Sequence, residues 1–489
     1  MLVQAAIEAR AITCRTRAGV VTVRDISLTA GQGELVGIIG GSGSGKQTLL
    51  DALSGRCPPT SGTVRRHPGR RAGYVPAVDS LPQVLPLARA LRYTAALRGA
   101  GDLRWRRGAV SPGDNGDAVD EALGLVGLAG AAAAAVGTLN PGERKRAEIA
   151  AELLAAPAAL FLDEPATGLD PAQATQVLRL LRGLSDTGIT VLLTTSSSLD
   201  AARCDKIAVL AVGGHLAFFG TPAAARGYFG ADSLEEIYEC LSGLGDPAAA
   251  WSRRFFYFSR TAAVSAPVPA TPCAPGPALL IPDQAGPHSA GRPSPLPQGD
   301  PAPGDWNDLE PGYRNDQSSA SGRDPGARHE RDLTRKPARQ LPVLVRRDAE
   351  VLARARRRQV ILAAVPVAVL VVFCVLLGAG ALDGPAAVTL AWAVLGGLVT
   401  GLAYELPVRT PEAGVLRRER FNGLSLPAFL AAKAALLVPA LALADLVILA
   451  VPAAAARLQA GFGISYLTVF VASAIGLTAA TITLFPGTA

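Results

Sequence analysis

Residues Val360 to Leu382 form a run of 23 without one charged side chain, and Gly384 to Tyr404 a second of 21. As helix, each reaches across a hydrocarbon layer about 30 Å thick, where every backbone N–H and C=O must find its partner within the chain. A third run, about residues 434–456, is interrupted only by Asp445, and no charge occurs from Leu458 to Ala489. Four spans are therefore expected, at about 360–382, 384–404, 434–456 and 464–485. Arg354, Arg356, Arg357 and Arg358 precede the first, and Arg409, Arg417, Arg418 and Arg420 separate the second from the third. By the positive-inside rule both flanks face the cytoplasm, so the expectation is a multi-pass cell (inner) membrane protein with its N-terminal part cytoplasmic. Asp445 in mid-span has two readings, a substrate or proton site or a polar side chain turned to the bundle interior.

A hydrophobic share of 49% and a mean hydropathy of +0.29 agree with a chain that is partly in lipid. The formal charge of +7 comes from 47 basic residues, only five of them Lys. Arginine-rich composition accounts for that, and no nucleic acid partner is expected. The six cysteines show no CxxC and no zinc-like spacing, which fits a reducing compartment. The first ten residues have no basic region leading into an apolar core, so insertion is expected from internal segments.

Ahead of the spans, short apolar runs such as ELVGIIG, AALFLDE and TVLLTT alternate with longer Ala-, Leu- and Arg-rich stretches, the rhythm of a buried parallel sheet with covering helices. Fifteen prolines then fall between Pro267 and Pro337 among Gly, Ser, Asp and Asn. Such a composition cannot bury enough surface to offset chain entropy. The division expected is an α/β nucleotide-binding domain with a C-terminal extension over 1–260, a Pro-rich disordered linker over 261–340, and an all-α membrane domain over 341–489.

Two motifs in the first domain have a defined chemistry. After ELVGIIG comes GGSGSGKQTLL, in which Gly40, Gly45 and Lys46 meet the spacing GxxxxGK at a strand-to-helix junction. Gly40, Gly41, Ser42, Gly43, Ser44, Gly45, Lys46, Gln47 and Thr48 form this loop, whose backbone N–H groups and helix N-terminus suit phosphate oxygens. Further on, the run AALFLDEP ends in Asp163 and Glu164, one carboxylate suited to Mg²⁺ and the next to orienting a water. The cofactors expected are ATP and Mg²⁺.

With LNPGERKRAEIAAELL between them and LFLDEPATGLDP at the second, these motifs resemble those of an ABC transporter, an α/β P-loop NTPase. The order of domains, TTSSSLDAARCDKIAVL, GGHLAFFGTP, and RRERFNGLS ahead of the third span, are similar to the White-type, or G, subfamily. The resemblance implies a half-transporter that pairs with a second one, as homodimer or heterodimer, so that two ATP molecules lie between one chain's phosphate loop and the other's signature motif. It assigns metal binding to Asp163, the general base to Glu164, the signature to Asn140, Pro141, Gly142 and Glu143, and the inter-domain contact to Asp170.

Several positions depart from the family pattern. Gln47 stands where a Ser or Thr hydroxyl would ligate Mg²⁺, Ala77 where a Gln would sense it, and Ser196 where a His would reach the γ-phosphate. Asn140 replaces the signature's hydroxyl donor and Pro141 lacks a backbone N–H. No aromatic residue precedes Tyr74 to stack on adenine. Each lost contact to transition-state charge lowers the rate by roughly a hundredfold, without additivity, so ATP binding with slow or absent hydrolysis is expected. The G-type membrane domain has six spans against the four counted here, so the last two are expected from a partner chain or are absent through truncation. Three readings stay open: ATP-driven export of a substrate of lipophilic type that no motif identifies, a non-catalytic ATP-binding regulatory subunit, and a truncated product without transport.

Overall fold

The computed structural model describes residues 5–16, 18–66, 72–98, 115–242, 251–255, 258, 337–379, 386–405, 409–454 and 462–482. The linker expected over 261–340 lies outside these residues as far as 336. Its last four positions are the start of a helix at Pro337. Proline is tolerated in the first turn, where the N–H it lacks would have no intrahelical acceptor.

The N-terminal domain is built on one nine-stranded sheet, β1 (Ala5–Arg15), β2 (Val21–Gly31), β3 (Leu35–Gly40), β4 (Ser61–Arg66), β5 (Ala72–Val75), β6 (Ala159–Leu162), β7 (Thr190–Thr194), β8 (Lys206–Ala211) and β9 (His215–Gly220). In space the order is β4-β1-β2-β9-β8-β3-β7-β6-β5. The five strands β8, β3, β7, β6 and β5 run parallel, while β4, β1 and β2 pair antiparallel at one side. The parallel strands are buried on both faces, and alternate residues supply two cores. Leu35, Ile39, Leu160, Leu162, Val191 and Leu193 point to one, and Val36, Ile38, Phe161 and Leu192 to the other. This explains why their sequences read as continuous apolar runs.

The helices of this domain are α1 (Lys46–Ser54), α2 (Leu87–Leu97), α3 (Asn115–Leu125), α4 (Pro141–Leu153), α5 (Pro171–Asp186), α6 (Ser198–Ala201), α7 (Pro222–Phe229) and α8 (Leu234–Ser242). An aromatic cluster of Phe218, Tyr228, Phe229, Trp251 and Phe255 adds to the first of these cores.

Six further helices follow: α9 (Pro337–Arg354), α10 (Arg356–Gly378), α11 (Ala386–Glu405), α12 (Arg409–Phe421), α13 (Leu426–Ala454) and α14 (Phe462–Ile482). Helices α10, α11, α13 and α14 coincide with the four apolar runs. Two stretches, Arg358–Gly378 and Leu426–Ala450, are long and apolar enough to cross a membrane, and Val388–Tyr404 and Gly463–Thr478 are shorter apolar helices. The third helix starts at Leu426, ahead of the expected 434, since Lys433 is carried as an internal residue. Helices α11 and α14 approach closely because a Cβ on Gly401 would lie 2.1 Å from the Ser473 carbonyl oxygen, the small-residue contact common between apolar helices. Asp445 is fully buried in this bundle and accepts a 2.7 Å hydrogen bond from Ser473 Oγ.

Candidate nucleotide site and its link to the apolar helices

Because β3, β6 and β7 are parallel neighbours, their C-terminal ends lie along one edge of the sheet. Gly40 ends β3, Asp163 follows β6 and Thr194 ends β7, so the topology alone gathers the phosphate loop and the two carboxylates. The loop from Gly40 to Gly45 turns tightly into α1. A Cβ on Gly40 would lie 2.4 Å from the Leu210 carbonyl oxygen, and one on Gly45, at φ +86°, 2.2 Å from that of Thr22. Only glycine fits either position. Lys46 Nζ donates to the carbonyls of Gly40 at 2.7 Å and Gly41 at 3.2 Å, which holds its ammonium over the loop. Ser44 Oγ is buried and has no hydrogen-bond partner among the described residues, an orphan donor that a phosphate oxygen would satisfy. Ser42 and Gln47 are exposed, with Thr48 half-buried between Gln47 and the core residue Leu49. The cradle fits a polyphosphate.

Asp163 and Glu164 are joined through Thr194. The Thr194 hydroxyl donates to Asp163 Oδ1 at 2.8 Å and accepts from the Glu164 backbone N–H at 2.9 Å. Burial pushes the Asp163 carboxyl above its ordinary range; the Thr194 hydroxyl opposes this, and the neighbouring Glu164 charge adds to it. Glu164 sits in the left-handed region at φ 44°, an uncommon conformation for a residue with a side chain. Its two carboxylate oxygens both accept from hydroxyls, Oε1 from Ser196 at 3.2 Å and Oε2 from Thr167 at 2.9 Å. Ser196, read as a loss of the family histidine, thus has a partner of its own. Thr194 carried no sequence signal beyond closing an apolar strand. Mg²⁺ at such a site keeps several waters and phosphate oxygens; Asp163 and the amide oxygen of Gln47 are the residues that would hold it.

The signature segment reads differently from expectation. Asn140 is the N-cap of α4, its Oδ1 accepting from the Glu143 N–H at 2.8 Å while Glu143 Oε2 accepts from the Asn140 N–H at 3.0 Å. This is a capping box with proline at the first helical position. The first N–H of the helix, on Gly142 at its second position, donates to Gln173 Oε1 at 3.2 Å. Gln173 in turn lies in α5, whose N-cap is Asp170, with Asp170 Oδ1 accepting from the Gln173 N–H at 2.8 Å. The first three backbone positions of α4 are therefore a proline nitrogen, an N–H engaged by a side chain, and an N–H engaged by its own cap. Asn140 costs the helix nothing, contrary to a view of it as simple loss.

Helix α4 also runs toward the apolar helices. Lys145 Nζ donates to the carbonyls of Pro76 at 2.9 Å and Ala77 at 3.3 Å and pairs with Glu148 at 3.0 Å. The exposed Ala77 thus contributes its backbone to the segment after β5. Glu148 Oε1 accepts from the Ser80 N–H and hydroxyl; burial raises its pKa, and Lys145 opposes the shift. One turn on, Glu152 Oε1 meets Arg98 and Arg418, each at 2.7 Å, and all three side chains are no more than 4% exposed. Burial alone would raise the Glu152 carboxyl, yet the two guanidiniums hold it below its ordinary range. Arg418 belongs to α12, where Phe421 also packs edge-on against Tyr74 at 5.9 Å. Next along α12, Glu419 pairs with Arg347 of α9. Arg418, from the basic stretch expected on the cytoplasmic side, and Phe421 are thus in contact with the nucleotide domain.

The family described as ABC transporter matches residues 23–167. The zinc import ATP-binding protein ZnuC of Chelativorans sp. is 36% identical over 207 residues, covering 42% of this chain and 68% of that protein. The ABC transporter ATP-binding/permease protein Rv1747 of Mycobacterium tuberculosis is 36% identical over 254 residues, covering 50% of this chain and 28% of that protein. Human ATP-binding cassette sub-family G member 5 is 35% identical over 236 residues, covering 44% and 35%. The chain spans about a third or less of these two longer relatives. With the family match over residues 23–167 and a relative covered over 68% of its length at 36% identity, the chain belongs to the ABC transporter family.

Proposed function

We propose that the chain is an ATP-binding membrane half-transporter of the G type, anchored by four helices, α10, α11, α13 and α14, with the nucleotide domain cytoplasmic. It pairs with a second half-transporter and serves export of a substrate of lipophilic type. ATP is bound at Gly40 to Thr48, and hydrolysis is slow or absent. The observation that carries this reading is the engagement of the α4 N-terminus. With Pro141 lacking an N–H, Gly142 tied to Gln173 and Glu143 tied to Asn140, that helix end has little to offer a phosphate of ATP held by a partner. Glu164 accepts one hydroxyl on each oxygen, contacts that hold the carboxylate and take up part of its accepting capacity. The residues left to work are Lys46 and the loop amides for binding, and Asp163 with Gln47 for the metal, whose chemistry when bound is neutralisation of phosphate charge.

The test is ATP binding and Mg²⁺-dependent ATP turnover by the full chain in lipid, beside Glu164→Gln. Binding by both with equal, negligible turnover is the expected result. Turnover that depends on Glu164 would overturn the slow-motor reading and make the chain an autonomous ATPase.

A further inference from the structure

Asp445 lies well inside α13, and its side chain is fully buried. Its Oδ1 accepts from Ser473 Oγ of α14 at 2.7 Å, while Oδ2 is buried without a hydrogen-bond partner among the described residues. The packing about Ser473 is tight. A Cβ on Gly397 of α11 would lie 2.6 Å from its Oγ, and one on Gly401 2.1 Å from its carbonyl oxygen. The ionisable groups on the surrounding helices are turned to other partners or stand at helix ends. Tyr404 of α11 donates to the Leu362 carbonyl at 2.9 Å, and Tyr466 of α14 to that of Ala442 at 3.1 Å. Cys374 of α10 is exposed. Lys433 stands about 18 Å back along α13, Arg358 lines the same cavity as Lys433, and Arg356, Arg357 and Glu405 belong to the ends of α10 and α11. That cavity, of about 60 Å³ and bordered by Tyr404 and Leu437, is several times the roughly 10–15 Å³ that one water needs. Tyr404 packs in one apolar cluster with Leu441 and Ala444, one turn before Asp445 and directly before it.

We propose that Asp445 is a proton-binding site of the membrane part that exchanges with water, the proton on Oδ2 and the Ser473 hydroxyl on Oδ1. A carboxylate charge with one oxygen unpaired and no cation beside it is costly inside an apolar bundle. Taking a proton from water removes the charge and turns Oδ2 from an unpaired acceptor into a donor. Helix carbonyls one turn back accept such donors in this bundle, as Gly396 does from Thr400 and Ile464 from Thr468. Loss of the proton to water would return a charge to the contact through which α13 and α14 meet. A proton held in one packing of these helices and released in another shifts the balance between the two. The inference rests on the membrane reading of α11, α13 and α14, and not on ATP turnover.

The experiment is infrared difference spectroscopy of the full chain in liposomes at neutral pH, after flotation has shown that the protein is held by the lipid. Wild type minus Asp445→Asn is expected to show the C=O stretch of a neutral carboxylic acid, which the near-isosteric amide lacks. In heavy water the band should move to lower frequency, because the proton on Oδ2 exchanges. Ser473→Ala should move it to higher frequency, because the carboxyl C=O loses its one hydrogen bond. That second variant keeps the test open should Asp445→Asn fail to fold, since wild type minus Ser473→Ala then carries the shifted acid band. Carboxylate bands in place of the acid band in these differences overturn the proposal and leave Asp445 as an ionised structural contact. A band that heavy water leaves unmoved overturns it too. Failure of the wild type to float overturns the membrane reading along with it, so the two failures are told apart.

Discussion

Glu152 is the residue whose removal should disturb the most, because its one carboxylate is shared by two buried guanidiniums from opposite sides of a domain boundary. Arg98 and Arg418 each meet Oε1 at 2.7 Å, and Oε2 accepts from the Tyr74 N–H at 3.3 Å. Glu152→Ala leaves both cations in low dielectric facing each other, and breaking a buried pair in this way costs about 3–5 kcal/mol. For a domain of this size about 1 kcal/mol moves the melting temperature by roughly 2–4 °C, so a fall of roughly 6–20 °C is expected. Arg418→Met leaves Glu152 with Arg98 and should cost less, by loosening α12 from the domain while the domain itself survives. The assay is thermal unfolding of the full chain in micelles, with limited proteolysis at α12, for both single variants and the double. The double should be much less destabilised than the sum of the singles, by about 0.5–3 kcal/mol of coupling. Strict additivity, or a Glu152→Ala shift below about 2 °C, would refute the argument that these charges act as one unit.

Gly45→Ala should lower ATP affinity by at least about tenfold, from left-handed backbone strain with the Thr22 contact added, while Gly124→Ala, in open space, should not; equilibrium binding of a fluorescent ATP analogue reads both. Thr194→Val removes the hydroxyl that joins Asp163 and Glu164, and a loss of about 1–3 kcal/mol in denaturant unfolding is expected, recovered by Thr194→Ser. The two buried carboxylates on α4, Glu148 and Glu152, should titrate in opposite senses. Glu152, held below its ordinary range, contributes stability that is present above the unfolded pKa and fades as pH falls through its lower folded value. Glu148, raised by burial, takes up a proton more readily folded than unfolded. Its share of stability is fullest below the ordinary glutamate pKa and declines as pH rises through the raised one. Unfolding against pH for Glu148→Gln should therefore differ from wild type on the alkaline side of the glutamate range, and for Glu152→Gln on the acid side.

The phosphate loop was legible because its chemistry is local. Glycines at fixed spacing after an apolar strand and before a helix determine the turn whatever lies elsewhere. The four apolar helices were legible for the same reason, their ends less so, since Lys433 within α13 shows that one cation does not end a helix. Thr194 was not legible, because its role comes from lying on β7 beside β6, which only the sheet order brings about. Nor was Arg418, which meets Glu152 across 266 positions. Asn140 is the instructive case. Asn-Pro-Gly-Glu is a cap, a first-turn proline and a third-position acid, all readable in advance, yet comparison with a family pattern made it look like damage only. The structure gives it a positive role in starting α4.

That helix can be considered as a lever. Its 13 residues make a rod of about 20 Å, with the capped end against Gln173 of α5 and Glu152 near the other. A tilt of about 10° about the capped end would sweep the far end by about 3 Å, as far as a whole hydrogen bond is long. The close-packed, doubly charged contact at that end cannot stretch by such an amount without breaking, so α12 would travel with it, and α13, which begins five residues after Phe421, would feel the pull within two turns of Lys433.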